Sequence, residues 1–504
     1  MSISAVRLLT VLALVCLVLA CSSQARESAP PPPGAEETEP AFPPPEAEDE
    51  EDVAMAAPGD DEVEATVEER PAVWVTAPPN ADRELRARAP APPLVDKTLR
   101  FVRLFYGTNR ARTESCVRLA ATRWDAPGEC RPSAYYGGFP ADNPGDGSEG
   151  LEVGTLKVTF PPSHQTGKIE RPFQVFSISL RDEDPDRDVV ISELRSFADQ
   201  AAWARDLSAT GRDQAFIYVH GFQTTFDQAA RRAAQLAYDL DFDLEADFRG
   251  VPMLFSWPSR GALDAYGVDY DASFESLDAF NRFLDLVKKQ AGIRRVHVIA
   301  HSMGNRVVTE ALYARGQRPE PLVDQLVLAA PDVWASRFKN RFLRTLPKLA
   351  SRVTLYVSDQ DRALVASSRI RRDEPRAGQV AGGLLEASRG VERFDAINAS
   401  TLESDFLGHG YYANHGSMLG DIYCLLKGTP AQGRPLLAIA GTAWQFRPPQ
   451  ELAVLDAVPC AATPPPTPVP APAAIPGRVI AAAAVVLAPL LGAIFWWWWW
   501  RRRR

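Results

Sequence analysis

Residues 294–308 read RRVHVIAHSMGNRVV. The apolar run up to Ala300 predicts a buried β-strand, and the residues after Gly304 have the periodicity of an α-helix. Ser302 therefore stands at a sharp strand-to-helix turn, with a small residue two positions away on each side. This arrangement matches the nucleophile elbow G-x-S-x-G, with alanine in place of the first glycine. The positive end of the following helix dipole would favour an oxyanion here, so the stretch predicts Ser302 as a nucleophile.

Strand and helix patterns alternate on both sides of this turn. Several of the strands are continuous apolar runs, which indicates burial on both faces of a parallel sheet. The sequence therefore predicts one α/β domain over residues 94–456, with a mainly parallel, doubly wound sheet preceded by antiparallel strands. The predicted strands are 98–106, 151–160, 173–180, 215–222, 251–259, 294–300, 322–332 and 352–359, and the predicted helices are 192–207, 225–240, 273–290 and 305–316.

A second loop follows the apolar strand that ends in Tyr-Val-His-Gly-Phe at residues 218–222. In a fold with a nucleophile elbow, this loop supplies one oxyanion donor and the residue after the nucleophile supplies the other. Those donors would be the backbone N–H groups of Phe222 and Met303. Gly221 would allow a close approach of the chain, and His220 would brace the loop.

The acid of a catalytic triad should follow a later strand and precede the histidine. Three aspartates qualify, namely Asp332, Asp359 and Asp361. Asp361 is favoured because its loop follows the strand that commonly carries the acid. Its role would be to fix the imidazole tautomer and to stabilise the imidazolium.

The base is restricted by the small number of histidines, because only six are present. Only His409 and His415 follow Ser302 at a distance, whereas His301 is adjacent to the nucleophile. His409 is preferred because it lies in a loop directly before the last helical pattern. His415 stays open as the alternative.

The N-terminus predicts export and lipid attachment. Residues 1–20 have the pattern of a signal peptide, with one arginine before a short apolar run. The last residues of that run resemble a bacterial lipobox, and the resemblance implies cleavage before Cys21 and lipidation of Cys21. The alternative is an uncleaved anchor with an incidental cysteine. Residues 21–93 are rich in Pro, Ala, Glu and Asp, which predicts a disordered tether.

The C-terminus predicts a second contact with the membrane. Residues 457–478 form a Pro-rich linker, and residues 479–500 form an apolar run that ends in five tryptophans. Four arginines at 501–504 complete the pattern of a transmembrane helix with a basic stop. The pattern is also similar to bacterial C-terminal sorting tails, which a membrane protease removes. The chain is therefore expected at the cell envelope, attached to a membrane and facing the periplasm or the exterior.

The cysteines and the charge distribution bound the remaining classes. Cys116 and Cys130 flank a short loop and would form a disulfide in an oxidising compartment. Cys424 would be either a buried free thiol or the partner of Cys460. The net charge of −9 arises largely in the tether, and the arginines at 501–504 are the one basic cluster, which argues against nucleic-acid binding. No His, Cys and Asp residues have metal-ligand spacing, so neither a metal nor an organic cofactor is expected.

The sequence from about Phe101 to Phe446 resembles a bacterial α/β-hydrolase family within the esterase/lipase superfamily, whose substrates are largely unassigned. The matching motifs are LFYGTNR, YVHGFQTTF, LFSWPSRG, Tyr266 with Asp269, VIAHSMGNRVV, LAAPDV, LYVSDQDRAL and GHGYY. The resemblance implies the α/β-hydrolase fold, with Ser302, Asp361 and His409 as the triad.

These observations predict a carboxylic-ester hydrolase that acts through an acyl-enzyme on a small-molecule or lipid ester. A thioesterase, an amidase or an acyltransferase would use the same triad. A catalytically silent hydrolase fold that serves as an envelope scaffold is the alternative from a different class, because a fold does not by itself establish a function.

Overall fold

The computed structural model describes residues 93–117, 121–125, 130–141, 150–172, 174–175, 178–179, 181–240, 250–316, 321–370, 374–402, 409–440, 443–447 and 460. The predicted signal peptide, Cys21, the linker at 457–478 apart from Cys460, the apolar run at 479–500 and the arginines at 501–504 lie outside the described residues. So does the tether at 21–93 apart from Pro93. None of the described helices has both the length and the apolar character needed to cross a membrane.

A large twisted sheet organises the described residues. Its strands and those of two short hairpins are β1 Val95–Asp96, β2 Phe101–Thr108, β3 Arg110–Arg112, β4 Ala121–Arg123, β5 Tyr136–Pro140, β6 Glu152–Thr159, β7 Gln174–Val175, β8 Ile178–Ser179, β9 Val190–Phe197, β10 Gln214–Val219, β11 Gly250–Ser256, β12 Arg295–His301, β13 Val323–Ala329, β14 Ala350–Val357, β15 Phe394–Asn398, β16 Leu436–Ala440 and β17 Ala443–Phe446. The strand order is β16-β17-β15-β14-β13-β12-β10-β11-β2-β6-β9-β4, with β1 paired to β2.

The centre of this sheet is parallel and its two edges are antiparallel. Parallel pairing runs without interruption from β2 through β11, β10, β12, β13, β14 and β15 to β17. Antiparallel pairs join β6 to β2 and to β9 at one edge, and β16 to β17 at the other. The predicted fold class, a mainly parallel sheet with an antiparallel lead-in, is confirmed.

Helices connect the parallel strands and cover the sheet. They are α1 Gln200–Ser208, α2 Phe226–Asp239, α3 Tyr266–Glu275, α4 Leu277–Asp285, α5 Gly304–Ala314, α6 Ala335–Arg337, α7 Leu346–Leu349, α8 Arg362–Ile370, α9 Leu384–Ala387, α10 Tyr411–Asn414 and α11 Gly416–Leu426. Two single turns of π-helix, at Leu286–Gln290 and Phe338–Phe342, extend α4 and α6.

The apolar side chains form one core on each face of the sheet. Along β10, Ile217 and Val219 belong to one core, whereas Phe216 and Tyr218 belong to the other. All six residues of β10 are buried. This explains why the central strands read as continuous apolar runs rather than as an alternation of polar and apolar residues.

Two of the sequence predictions in the antiparallel lead-in are wrong. The predicted helix at 192–207 is a strand over its first part, because alternate side chains of β9 point into the core while its backbone pairs with β6. The helix α1 begins only after Asp199, whose carboxylate accepts hydrogen bonds from the N–H groups of Ala201 and Ala202. The predicted long strand at 173–180 is in its described part the small hairpin β7–β8, which pairs outside the main sheet.

Two disulfides fasten this framework. Cys116 is bonded to Cys130, with 5.0 Å between their Cα atoms. Cys424 on α11 is bonded to Cys460, with 5.4 Å between their Cα atoms. The second bond resolves the alternatives for Cys424 in favour of the partner rather than the free thiol.

Candidate active site

Ser302 occupies the turn between β12 and α5 with a φ of 51°, in the left-handed region that L-residues rarely adopt. Asn305 stabilises this turn, because its Nδ2 donates to the backbone oxygens of Ser302 at 3.0 Å and Ala329 at 3.1 Å. A side chain on Gly304 would place its Cβ 2.3 Å from the backbone oxygen of His220. The backbone packing therefore demands glycine at this position, as an elbow requires.

The loop after β10 lies against the elbow. A Cβ on Gly221 would lie 2.7 Å from Cβ of Ser302 and 3.0 Å from Nδ1 of His301, so the two turns are in direct contact. The backbone N–H groups of Phe222 and Met303, which the sequence predicts as oxyanion donors, follow these contact points. Within the described part of the chain, neither N–H donates a hydrogen bond. Both amides are thus available to an acceptor on a substrate.

The structure brings Asp361 and His409 into direct contact. Oδ2 of Asp361 lies 2.7 Å from Nδ1 of His409. The other carboxylate oxygen, Oδ1, accepts the N–H of Leu364 at 2.9 Å in the first turn of α8. Asp361 is 1% exposed, and the helix therefore holds its carboxylate in one orientation.

His301 places the His409 loop beside the elbow. The two imidazole rings have centroids 4.6 Å apart, and Nε2 of His301 lies 3.2 Å from the backbone oxygen of His409. Burial and the neighbouring His409 hold the pKa of His301 well below its usual range. The neutral ring therefore donates from Nε2 to that carbonyl, and it stacks on Tyr412 with centroids 4.1 Å apart.

The Ser302 hydroxyl makes no hydrogen bond to another described residue. Ser302 and His409 are instead linked through His301, which precedes the serine in the chain and contacts the histidine. A catalytic hydrogen bond is often formed only when a substrate is bound. The three predicted triad residues thus lie on the loops that follow β12, β14 and β15, at the carboxyl edge of the sheet.

The alternative candidates lie elsewhere or bind other groups. Asp332 binds Tyr266 and Ser367 through its carboxylate. Asp359 is exposed, and its Oδ1 accepts a hydrogen bond from its neighbour Gln360. His415 is the N-cap of α11, where its Nδ1 accepts the N–H of Ser417 at 3.2 Å.

Buried polar residues brace the loop that carries Phe222. His220 stacks on Trp257 with ring centroids 5.1 Å apart, and its Nε2 accepts a hydrogen bond from Nη2 of Arg110 at 3.2 Å. Nδ1 of His220 consequently carries the hydrogen and donates to the backbone oxygen of Gly221 at 2.9 Å. Burial, and after it the charge of Arg110, hold the pKa of His220 well below its usual range. The structure thus agrees with the predicted bracing role of His220.

Arg110 joins three segments of the chain beneath this loop. Its guanidinium donates to Oγ of Ser256 at 2.8 Å and to the backbone oxygens of Thr224 and Ser259, each at 2.8 Å. Burial lowers the pKa of Arg110 to about 9, which leaves it cationic at neutral pH. Asp269 lies beside it and accepts hydrogen bonds from Oγ of Ser259 at 2.5 Å and from the N–H of Arg260 at 2.9 Å.

Sequence reasoning did not assign roles to Arg110, His301, Tyr266 or Asp269. The resemblance named the motifs that contain them, but side-chain contacts across more than 100 positions of the chain leave no local pattern. Among the described residues, no group of three or more His, Cys, Asp or Glu side chains is arranged to hold a metal ion.

Comparisons with known proteins agree with this geometry at the level of the fold. The model of a family described as "Alpha/beta hydrolase of unknown function (DUF900)" matches residues 195–426, slightly less than half of the chain. No curated protein matches the sequence. Among solved structures, phospholipase PlaB from Legionella pneumophila is similar with 14% identity and a TM-score of 0.20.

The likeness to that phospholipase covers 40% of this chain and 42% of the other, and it carries no functional argument. The family match spans the strands that carry Phe222, Ser302, Asp332 and Asp361, together with His409 and α11. The match and the sheet topology together support an α/β-hydrolase of unknown specificity.

Proposed function

We propose that this chain is a serine hydrolase that cleaves carboxylic esters, with Ser302 as nucleophile, His409 as general base and Asp361 as the residue that orients His409. The observation that carries the proposal is the 2.7 Å contact between Asp361 and His409 on the loops next to a serine in an elbow conformation. A buried carboxylate on Nδ1 leaves Nε2 of the neutral ring as the proton acceptor.

The reaction would proceed in two balanced halves. In the first, Nε2 of His409 accepts the hydroxyl proton while Oγ of Ser302 bonds to the carbonyl carbon of the ester. The N–H groups of Phe222 and Met303 donate to the resulting oxyanion. The intermediate then collapses, the C–O bond to the alcohol breaks, and His409 returns the proton to the departing alcohol oxygen. In the second half, water replaces the alcohol and the acid is released by the same steps in reverse.

The electrostatics of the described site support this assignment. His301 and His220 lie closest to the elbow, and burial holds the pKa of each well below its usual range. Both rings are therefore neutral at pH 7, and neither adds a positive charge that would oppose the imidazolium of His409. Arg110 is cationic, but it is balanced by Asp269 on the far side of His220.

We also propose that the hydrolase acts at a membrane, as the lipobox before Cys21 and the apolar run at 479–500 suggest. A lipid or small-molecule ester would then be its substrate. The chain would face the periplasm or the exterior, in the compartment where the two disulfides are stable.

The test uses the full-length chain in detergent, a fluorophosphonate probe and p-nitrophenyl esters of increasing acyl length. Wild-type protein should react with the probe and hydrolyse at least one ester, and Ser302→Ala should lose the labelling and at least about 10³-fold in kcat. Ser351→Ala, an exposed serine on β14, is the matched control and should behave as wild type. Labelling that persists in Ser302→Ala would place the nucleophile elsewhere.

A further inference from the structure

A buried polar cluster lies next to the elbow and is centred on the carboxylate of Asp332. The hydroxyl of Tyr266 donates to Oδ2 of Asp332 at 2.8 Å, and Oγ of Ser367 donates to Oδ1 at 2.6 Å. Nε of Arg376 lies 3.2 Å from Oδ1, which balances the buried charge. The four side chains, the Asp332 cluster, are each at most 8% exposed. Neither the proposed triad nor the proposed oxyanion donors include any of them.

The cluster is bonded to the nucleophile turn. The backbone N–H of Asp332 donates to the backbone oxygen of Ser302 at 3.2 Å. Because the φ of 51° at Ser302 is unfavourable, the surrounding structure must hold the turn in place. A carboxylate that is fixed by three buried groups keeps the Asp332 backbone, and therefore this hydrogen bond, in one position.

The same cluster touches the other two catalytic loops. The ring of Tyr266 meets the ring of Phe222 edge to face, with centroids 5.2 Å apart, at the residue whose N–H would bind the oxyanion. Ser367 lies on α8, the helix whose first turn is capped by Asp361. Burial and the adjacent Asp332 raise the pKa of Tyr266, so its hydroxyl stays protonated and remains a donor at neutral pH.

We propose that Tyr266 and Asp332 are positioning residues for ester hydrolysis, which hold the Ser302 turn and the Phe222 loop in one fixed relative geometry. The inference rests on the proposed function, because it assigns a role to contacts around that site. Neither residue would touch the substrate. Their loss should therefore reduce the turnover number and leave the binding of substrate nearly unchanged.

The decisive variant is Tyr266→Phe in the full-length chain, which removes the hydroxyl and keeps the ring on Phe222. With p-nitrophenyl butyrate, and with active sites counted by fluorophosphonate titration, we expect kcat per site to fall about 10- to 100-fold and KM to change less than about twofold. Tyr313→Phe is the matched control, since Tyr313 at the end of α5 packs on Phe342 away from the cluster. It should retain wild-type kcat.

Asp332→Asn provides the second arm. If the two residues act as one unit, the double variant Tyr266→Phe/Asp332→Asn should be no slower than Asp332→Asn alone. Multiplicative losses in the double variant, or a kcat of Tyr266→Phe within about twofold of wild type, would overturn the proposal. So would an increase in KM without a decrease in kcat, because that would indicate a contact with substrate.

Amide hydrogen exchange makes the test independent of activity. Peptides that cover residues 220–224 and 300–304 should exchange faster in Tyr266→Phe than in wild type or Tyr313→Phe. Unchanged exchange at both peptides overturns the positioning role. If wild-type protein fails to react with the fluorophosphonate, the proposed function fails, whereas faster exchange in Tyr266→Phe would still support the structural link between the two loops.

Discussion

Asp361 divides its carboxylate between a helix and a histidine: Oδ1 accepts the N–H of Leu364 at 2.9 Å, and Oδ2 lies 2.7 Å from Nδ1 of His409. Both oxygens act as acceptors, which only an ionised carboxylate can do with two donors in these positions. The helix bond fixes the carboxylate plane, and the plane fixes the orientation of the imidazole. Nε2 of His409 is thereby left to face the elbow as the proton acceptor.

Asp361→Asn should therefore reduce kcat by about 10³-fold or more, with little change in stability. An asparagine that keeps its oxygen on the Leu364 N–H turns its NH₂ toward His409, and the ring must then carry its hydrogen on Nε2, where it cannot act as a base. Asp359→Asn, an exposed control two residues away, should stay within about twofold of wild type. Asp332→Asn should cost less than Asp361→Asn, and the reverse order would assign the acid to Asp332.

Gly221→Ala should strongly reduce activity because of the contact between the two turns. An added Cβ would lie 2.7 Å from Cβ of Ser302 and 3.2 Å from the backbone oxygen of His301, so the Phe222 loop must move away from the nucleophile. We expect a loss of about 10²-fold or more in kcat for esters. Gly420→Ala on α11 is the control, since its Cβ would meet nothing within 4 Å and should leave activity intact. Equal activity of the two variants would contradict this role of Gly221.

The parallel half of the fold was predictable from sequence, and the antiparallel half was predicted only in part. Buried central strands such as β10 and β12 show as apolar runs, and the elbow at Ser302 has a local signature. By contrast, β9 was predicted as a helix, because its alternation merges with the helical pattern after Asp199 and only the pairing with β6 separates them.

The site residues divide in the same way. Ser302 and Asp361 follow recognisable strands, so their positions were accessible from the sequence. The choice of Asp361 over Asp332 depended on the order of strands in the sheet, and the contact with His409 spans 48 residues. Arg110 was beyond reach for the same reason, since its partner His220 is 110 residues away and no periodicity links them.

Lipid attachment should depend on Cys21. Cys21→Ala should abolish incorporation of a radiolabelled fatty acid and leave the signal peptide uncut, whereas Cys16→Ala, within the apolar run of the signal, should incorporate lipid as wild type does. Mass spectrometry of the mature C-terminus then separates the two readings of the tail. A chain that ends at Arg504 supports a second anchor, and one that ends before Val479 identifies a sorting tail. Lipid incorporation into Cys21→Ala would refute the lipobox.

The stability of the domain should depend on pH through His164. Nδ1 of His164 lies 2.8 Å from Glu170 and Nε2 lies 3.0 Å from Asp239, so both ring nitrogens donate to carboxylates. Burial alone would lower the pKa of His164, but the bonds to Asp239 and Glu170 outweigh it and raise the pKa to about 9. An unfolded histidine has a pKa of about 6.5, so the folded state binds its proton more tightly.

The contribution of His164 to the free energy of unfolding should be fully present below about pH 6.5 and should be lost as the pH rises to about 9. It should amount to roughly 1–2 kcal/mol once screening by solvent is allowed for. The measurement is urea unfolding of wild type and His164→Gln at pH 6 and pH 9.5, with the difference between the two proteins compared across pH. Because every other titrating group is common to both proteins, that difference isolates His164. A difference in stability that is equal at the two pH values would mean that His164 is not charged in the folded protein.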